Sequence, residues 1–229
     1  MKRILAIVGL SALVLSCSKV GQKFDQGNSG SPGASTTGNS GSSTGSSTTQ
    51  TGSSTSADTA GGQSVELPKP TAAQLAAIEG GQEAKWDQQG MSWTVPKGWV
   101  KEKAENTMFN WRSTGGGDFQ FLIVSISPMG EDFPTDISLK AFYDGAVTRK
   151  KNGEVEEVRW LELDGVKGVS FREAMPEGAE DPRRLQWMTY RKFAGQTQMV
   201  NLILSTKGRN FDKSLDTLYG ILYTTKLVH

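Results

Sequence analysis

Three regimes of hydrophobic patterning succeed one another along the chain. Residues 4–15 are one apolar run, residues 18–64 contain almost nothing apolar, and from about Leu67 apolar positions recur with the periods of strands and helices. Only the third regime can bury a core. Within it, FQFLIVSIS puts Phe119, Phe121 and Ile123 on one side of a strand and Leu122, Val124 and Ile126 on the other. TQMVNLILS sets Met199 and Ile203 against Val200, Leu202 and Leu204 in the same way. Two apolar faces predict central strands covered on both sides.

The covering elements are legible too. Leu139, Phe142, Tyr143, Ala146 and Val147 share one face of a helix, with Asp136 as expected N-cap, Arg149, Lys150 and Lys151 in the last turn and Gly153 as terminator. A second helix over 211–223 turns Phe211, Leu215, Leu218 and Leu222 inward. Between these helices lie four expected strands, 155–163, 166–173, 185–193 and 197–205, with hairpin turns at Asp164-Gly165 and Ala194-Gly195. Earlier in the chain, Thr71 caps a short helix over 72–78 that Gly80 and Gly81 end. A strand near Trp86, a turn at 88–90 and a strand at 91–95 follow. Strands at 107–112 and 119–127 are joined by a turn whose glycines 115–117 supply positive φ. Short turns between consecutive strands make the sheet mostly antiparallel. The expected fold class is α+β, an α/β/α sandwich of helices against a mostly antiparallel sheet.

The first two regimes give an address. Lys2 and Arg3 precede the 4–15 apolar run, which has the length of a secretory signal and is stopped by Ser16, Cys17, Ser18 and Lys19. Leu13-Val14-Leu15-Ser16-Cys17 resembles a bacterial lipoprotein signal, with Leu15 where Ala or Ser is commoner. The resemblance implies removal of residues 1–16 and acylation of Cys17, the only cysteine of the chain. Burial of more than one acyl chain gives lasting attachment to a membrane without spanning it. Ser18, where an Asp resembles an inner-membrane retention signal, leans the expectation towards the outer membrane of a Gram-negative envelope. Residues 17–66 read as lipidated cysteine plus a Ser/Gly/Thr linker that cannot bury enough surface to offset ordering entropy. Such a linker of about 45 residues has an r.m.s. span of roughly 35–40 Å. Its Gly41-Ser42-Ser43-Thr44-Gly45 matches G-x-S-x-G, but with no histidine partner and no strand-to-helix turn the match is coincidental. The folded domain is expected over 67–229.

That domain resembles the Mog/PsbP-like superfamily. MSWTVPKGWV, with Pro96 and Trp99, the order of elements and the closing DKSLDTLYGILYTTKL carry the resemblance, over roughly residues 83–229. The superfamily includes a photosystem II extrinsic protein, a Ran-binding nuclear-import factor and many bacterial lipoproteins. What it implies is a non-enzymatic binding or scaffold domain; it transfers no site residues.

Composition narrows the chemistry. Twenty-five basic residues balance 24 acidic ones, so no electrostatic footprint for nucleic acid is present. One cysteine and one histidine, His229, which is expected to fray, exclude most zinc sites and every Ser-His-Asp or Cys-His system. No cofactor and no catalytic residue are expected. Glu131, Asp132 and Asp136 share a loop without EF-hand spacing and read as caps and solvated charges. Glu156 and Glu157 alternate across a strand and cannot form a glycosidase pair by themselves. Six tryptophans fall mostly on strands, where core packing is expected. The polar segment 173–184 is the longest loop between strands, and Glu177, Asp181, Arg183 and Arg184 are its candidate partner contacts. The reading is an envelope lipoprotein with a non-enzymatic binding domain and two partners, the membrane through its anchor and an envelope protein. The alternatives are a carrier of a small apolar ligand such as a lipid, and a carboxylate-dependent enzyme.

Overall fold

A computed structural model describes residues 64–228. The readings made for residues 1–16, for Cys17 and the Ser/Gly/Thr segment to residue 63, and for His229 lie outside the described residues. The described chain is tied down ahead of Leu67: the Glu66 N–H donates to the Trp160 carbonyl at 3.0 Å, Glu162 N–H donates to the Glu66 carbonyl at 2.9 Å, and Val65 packs against Trp160's cluster.

Helix α1 (Ala72–Ile78) carries the expected cap in full: Gln74 N–H donates to the Thr71 hydroxyl, and Thr71 N–H donates to the Gln74 side chain. It leads into β1 (Gln82–Trp86), a single 3₁₀ turn over Asp87–Gln89, and β2 (Met91–Val95). Then come β3 (Val100–Ala104), β4 (Met108–Arg112) and β5 (Phe121–Pro128). Helix α2 (Thr135–Lys151) precedes four long strands, β6 (Val155–Leu163), β7 (Val166–Glu173), β8 (Pro182–Phe193) and β9 (Gln196–Lys207). Helix α3 (Gly208–Tyr223) and the short β10 (Lys226–Leu227) close the chain.

Seven strands form one sheet in the order β3-β4-β5-β9-β8-β7-β6, and β1, β2 and β10 form a separate small sheet. Every pair of these strands is antiparallel. The α+β class expected from the pattern is the class observed. The second sheet and the exposed edge strand β3 were not foreseen: β3 reads VKEKA and has no apolar alternation to reveal it.

One face of the large sheet is fully covered. Leu122, Val124, Leu185, Trp187, Leu202 and Leu204 pack beneath Phe211, Leu218 and Leu222 of α3 and beneath Trp86, Trp93 and Val95 of the small sheet. Helix α1 backs onto α3 so closely that a Cβ on Gly220 would stand 2.6 Å from the Gln74 carbonyl oxygen. The opposite face is covered only over β6, β7 and part of β8. There Leu139 and Ala146 of α2 meet Val155, Trp160, Val169 and Phe171.

This corrects the expectation of burial on both sides for β5. Leu122, Val124 and Ile126 are buried, but Phe121 and Ile123 on the other side are only partly so. The same holds for Met199 and Ile203 of β9. The reason is width. A helix is about 10 Å across and strands lie about 4.8 Å apart, so one helix covers roughly two strands. Two further corrections concern α2. Pro134, not Asp136, is the N-cap, and Asp136 lies in the first turn, where its charge suits the helix dipole. Phe142 sits on the flank of the apolar stripe and is 43 % exposed.

Candidate functional site

The 173–184 segment is not a loop throughout. Strand β8 begins at Pro182, paired with Lys207, three residues earlier than expected. Arg183 and Arg184 therefore belong to the sheet. The remaining loop is fastened to α3: Gly208 N–H donates to the Asp181 carbonyl at 2.8 Å and Arg209 N–H to the Ala179 carbonyl at 2.9 Å. Glu177 and Asp181 are exposed there. Arg184 pairs with Glu173 at 3.2 Å. The Arg183 side chain is only 2 % exposed, with Glu156 at 2.7 Å, Asp212 at 2.9 Å and the Phe211 ring beneath it at 4.5 Å. Its charge is balanced inside the domain by these two carboxylates.

Arg183 belongs to a row of arginines on the α3 side of the sheet. Arg172 lies 3.2 Å from Glu156 and 3.5 Å from Glu157. Arg159 lies 3.1 Å from Glu66 and donates to the Tyr223 hydroxyl at 2.7 Å. The Tyr219 hydroxyl donates to Glu157 at 2.9 Å, and burial raises its pKa. Each guanidinium in the row has carboxylate partners, so this network fastens α3 to β6, β7 and β8 and offers little to a ligand. Glu131, Asp132 and Asp136 are exposed, and among the described residues no group of three or more His, Cys, Asp or Glu is placed to hold a metal ion. Five of the six tryptophans are buried; Trp111 is partly so.

A cavity of about 790 Å³ opens on the other side of the sheet, between the first half of α2, the β6–β7 turn and the end of β8. Its apolar wall is Leu139, Tyr143, Trp160 and Tyr190, with Ile137 at the mouth, 73 % exposed. The Tyr143 and Trp160 rings stack at 4.8 Å and 5°. Lys167 lays its ammonium over the Trp160 ring, 4.4 Å from the centroid. Burial raises the Tyr190 hydroxyl above its ordinary pKa, which keeps it protonated. Lys140 pairs with Asp144 at 2.6 Å along α2. Lys192 completes the rim. The volume falls within the range of small-molecule sites, which are mostly apolar with a few polar groups.

Arg191 turns the other way from Tyr190 along β8, away from the groove and towards the turn between β1 and β2. It is 7 % exposed, donates to the Gln89 carbonyl at 2.5 Å and to Gln198 Oε1 at 3.4 Å, and lies 4.5 Å over the Phe193 ring. Among the described residues it forms no ion pair, and its Nη1 has no hydrogen-bond partner. Burial lowers its pKa to about 10.

Sequence reasoning did not find this groove. Tyr143 was read as core and Trp160 as a strand tryptophan, while Lys167, Tyr190 and Lys192 gave no signal. Nothing in linear spacing marks residues that α2, β6, β7 and β8 bring together only in the fold.

No protein-family model matches the chain, and no curated protein matches it. Solved structures to which the chain is similar include the following three. Cyanobacterial PsbP from Synechocystis sp. PCC 6803 is 15% identical, with TM-score 0.43 over 64% of this chain and 92% of that one. LpqN of Mycobacterium tuberculosis, described as involved in cell envelope biogenesis, is 12% identical, with TM-score 0.47 over 65% of this chain and 86% of that one. The Ran-binding protein Mog1p of Saccharomyces cerevisiae is 11% identical, with TM-score 0.40 over 65% of this chain and 95% of that one.

Proposed function

We propose that this protein is a lipid-anchored envelope protein whose folded domain is a non-enzymatic binding module, and that it binds in the groove beneath α2. The groove itself carries the reading: about 790 Å³ with an apolar wall, an exposed Ile137 at its mouth and unpaired cations on its rim. The anchor rests on Cys17, the sole cysteine, at the end of a signal-like run. The polar linker would let the domain reach away from the bilayer.

Two experiments test the two halves. A photo-crosslinking residue placed at Ile137 in the cell should give discrete adducts that the same residue at Leu75, exposed on α1, does not. Equal yields at both positions, or none at Ile137, reject the groove. Replacing Cys17 with Ser should release the protein from membranes washed at high salt; retention rejects the lipid anchor.

A further inference from the structure

Two lysines of the groove, Lys167 and Lys192, stand on neighbouring strands. Gly168 of β7 pairs with Thr189 of β8. Continuing that register sets Lys167 opposite Tyr190 and one diagonal step from Lys192. Diagonal neighbours lie roughly 7–8 Å apart, and both side chains are long, so their ammonium groups can converge on one small anion. Among the described residues neither forms an ion pair. Glu162 faces Lys167 across the β6–β7 pair, yet the ammonium lies over the Trp160 ring instead. The groove holds three cations, Lys140, Lys167 and Lys192, against Asp136 and Asp144, and Asp144 is already paired with Lys140.

We infer that the groove takes a single-chain anionic amphiphile, a fatty carboxylate, with its head between Lys167 and Lys192 and its chain along Leu139, Tyr143 and Tyr190. The inference rests on the groove being the binding site and adds its chemistry. The apolar wall selects the chain, because each buried methylene adds favourable transfer free energy. The rim selects the charge, because a carboxylate brought against unpaired ammonium groups gains charge-assisted hydrogen bonds. A neutral alcohol of equal length keeps the first gain and loses the second. A long-chain cation meets repulsion.

The test is calorimetric titration of the full-length Cys17→Ser chain with dodecanoate below its micelle concentration. Decanoate, dodecanol and dodecyltrimethylammonium serve as comparisons. Dodecanoate should bind about tenfold more tightly than dodecanol, and dodecyltrimethylammonium should bind least. Decanoate should be weaker by about three- to fourfold for each methylene removed. Lys167→Gln with Lys192→Gln should weaken dodecanoate about tenfold and leave dodecanol unchanged, while lowering the melting temperature only slightly through the lost Lys167–Trp160 contact. Equal binding of dodecanoate and dodecanol overturns the inference, and so does a double variant that binds dodecanoate like the parent. Binding of a Glu-rich peptide in place of dodecanoate overturns it in favour of a protein ligand. If dodecanoate fails while the Ile137 adducts persist, the ligand chemistry falls and the groove stands; if both fail, the groove falls as well.

Discussion

A Cβ built on Gly168 would stand 2.4 Å from the indole Nε1 of Trp187 and 2.7 Å from the Met188 carbonyl oxygen. Trp187 is fully buried, and that same Nε1–H donates to the Leu161 carbonyl at 3.0 Å. Two strands thus leave a hole where a side chain belongs, and a third strand's tryptophan fills it. Gly168→Ala should therefore destabilise the protein by about 1–3 kcal/mol through overpacking. Urea unfolding of the parent, Gly168→Ala, Trp187→Phe and the double variant gives the check. The double variant should lose less than the two single losses combined, because the clash and the indole occupy one space. A Gly168→Ala midpoint equal to the parent's refutes the close approach.

The two large helices make unequal claims on the core. Leu218 of α3 is fully buried, whereas Phe142 of α2 is 43 % exposed. Leu218→Ala should cost about 2–5 kcal/mol. Phe142→Ser should stay within about 0.5 kcal/mol of the parent, despite removing the larger side chain. Thermal unfolding distinguishes the two; comparable losses would put Phe142 in the core after all.

The turn between β8 and β9 holds a residue poorly suited to its backbone. Ala194 and Gly195 have φ of 49° and 81°, the pattern of a type I′ turn. Left-handed backbone costs a side-chain-bearing residue roughly 1–2 kcal/mol, and Asn tolerates it better than Ala. Ala194→Asn should raise stability by about 0.5–1 kcal/mol. The matching turn between β6 and β7 already has Asp164 in that position, at φ 49°. Its carboxylate also accepts the Leu227 N–H at 2.8 Å. Asp164→Ala should accordingly destabilise. The two midpoints moving in the same direction would contradict the turn assignment.

What the sequence reveals and what it hides divide along physical lines. The Thr71–Gln74 capping box, the Asp164-Gly165 and Ala194-Gly195 turns and the Phe211, Leu218, Leu222 face of α3 are all local. Each follows from residues within about two turns or a hairpin of one another. The bare half of the sheet is not local. Phe121, Ile123, Met199 and Ile203 look like core positions in any single strand, and only the width of a seven-strand sheet against one helix leaves them half-exposed. Arg183 misleads for a similar reason. It sits among Glu, Asp and Pro in a loop-like stretch, but its carboxylates, Glu156 and Asp212, come from β6 and α3. The groove combines both difficulties, since Tyr143, Trp160, Lys167 and Lys192 come from four elements.

The start of α3 carries an acid-sensitive fastening. Asp118, just after the glycine turn, accepts from Arg209 at 2.8 Å and lies 3.4 Å from Lys207. Glu180, in the 174–181 loop, pairs with Lys207 at 2.8 Å and with Arg209. Two loops are thereby held to one helix terminus by four charges. The hydrogen bond from Arg209 lowers the Asp118 pKa to about 2 from an ordinary 3.8, and the one from Lys207 lowers Glu180. Both folded values lie below the unfolded ones. The stabilisation is therefore fully present above the ordinary carboxylate range and is lost as pH falls through the folded values. The parent should lose melting temperature between about pH 4 and pH 2, and Asp118→Asn should flatten that slope while lowering the plateau above it. All four groups are open to solvent, so salt at about 0.5 M should shrink the difference between parent and variant. Melting curves at stepped pH, with and without salt, measure both effects. An Asp118→Asn slope as steep as the parent's would show that the acid sensitivity resides in other carboxylates.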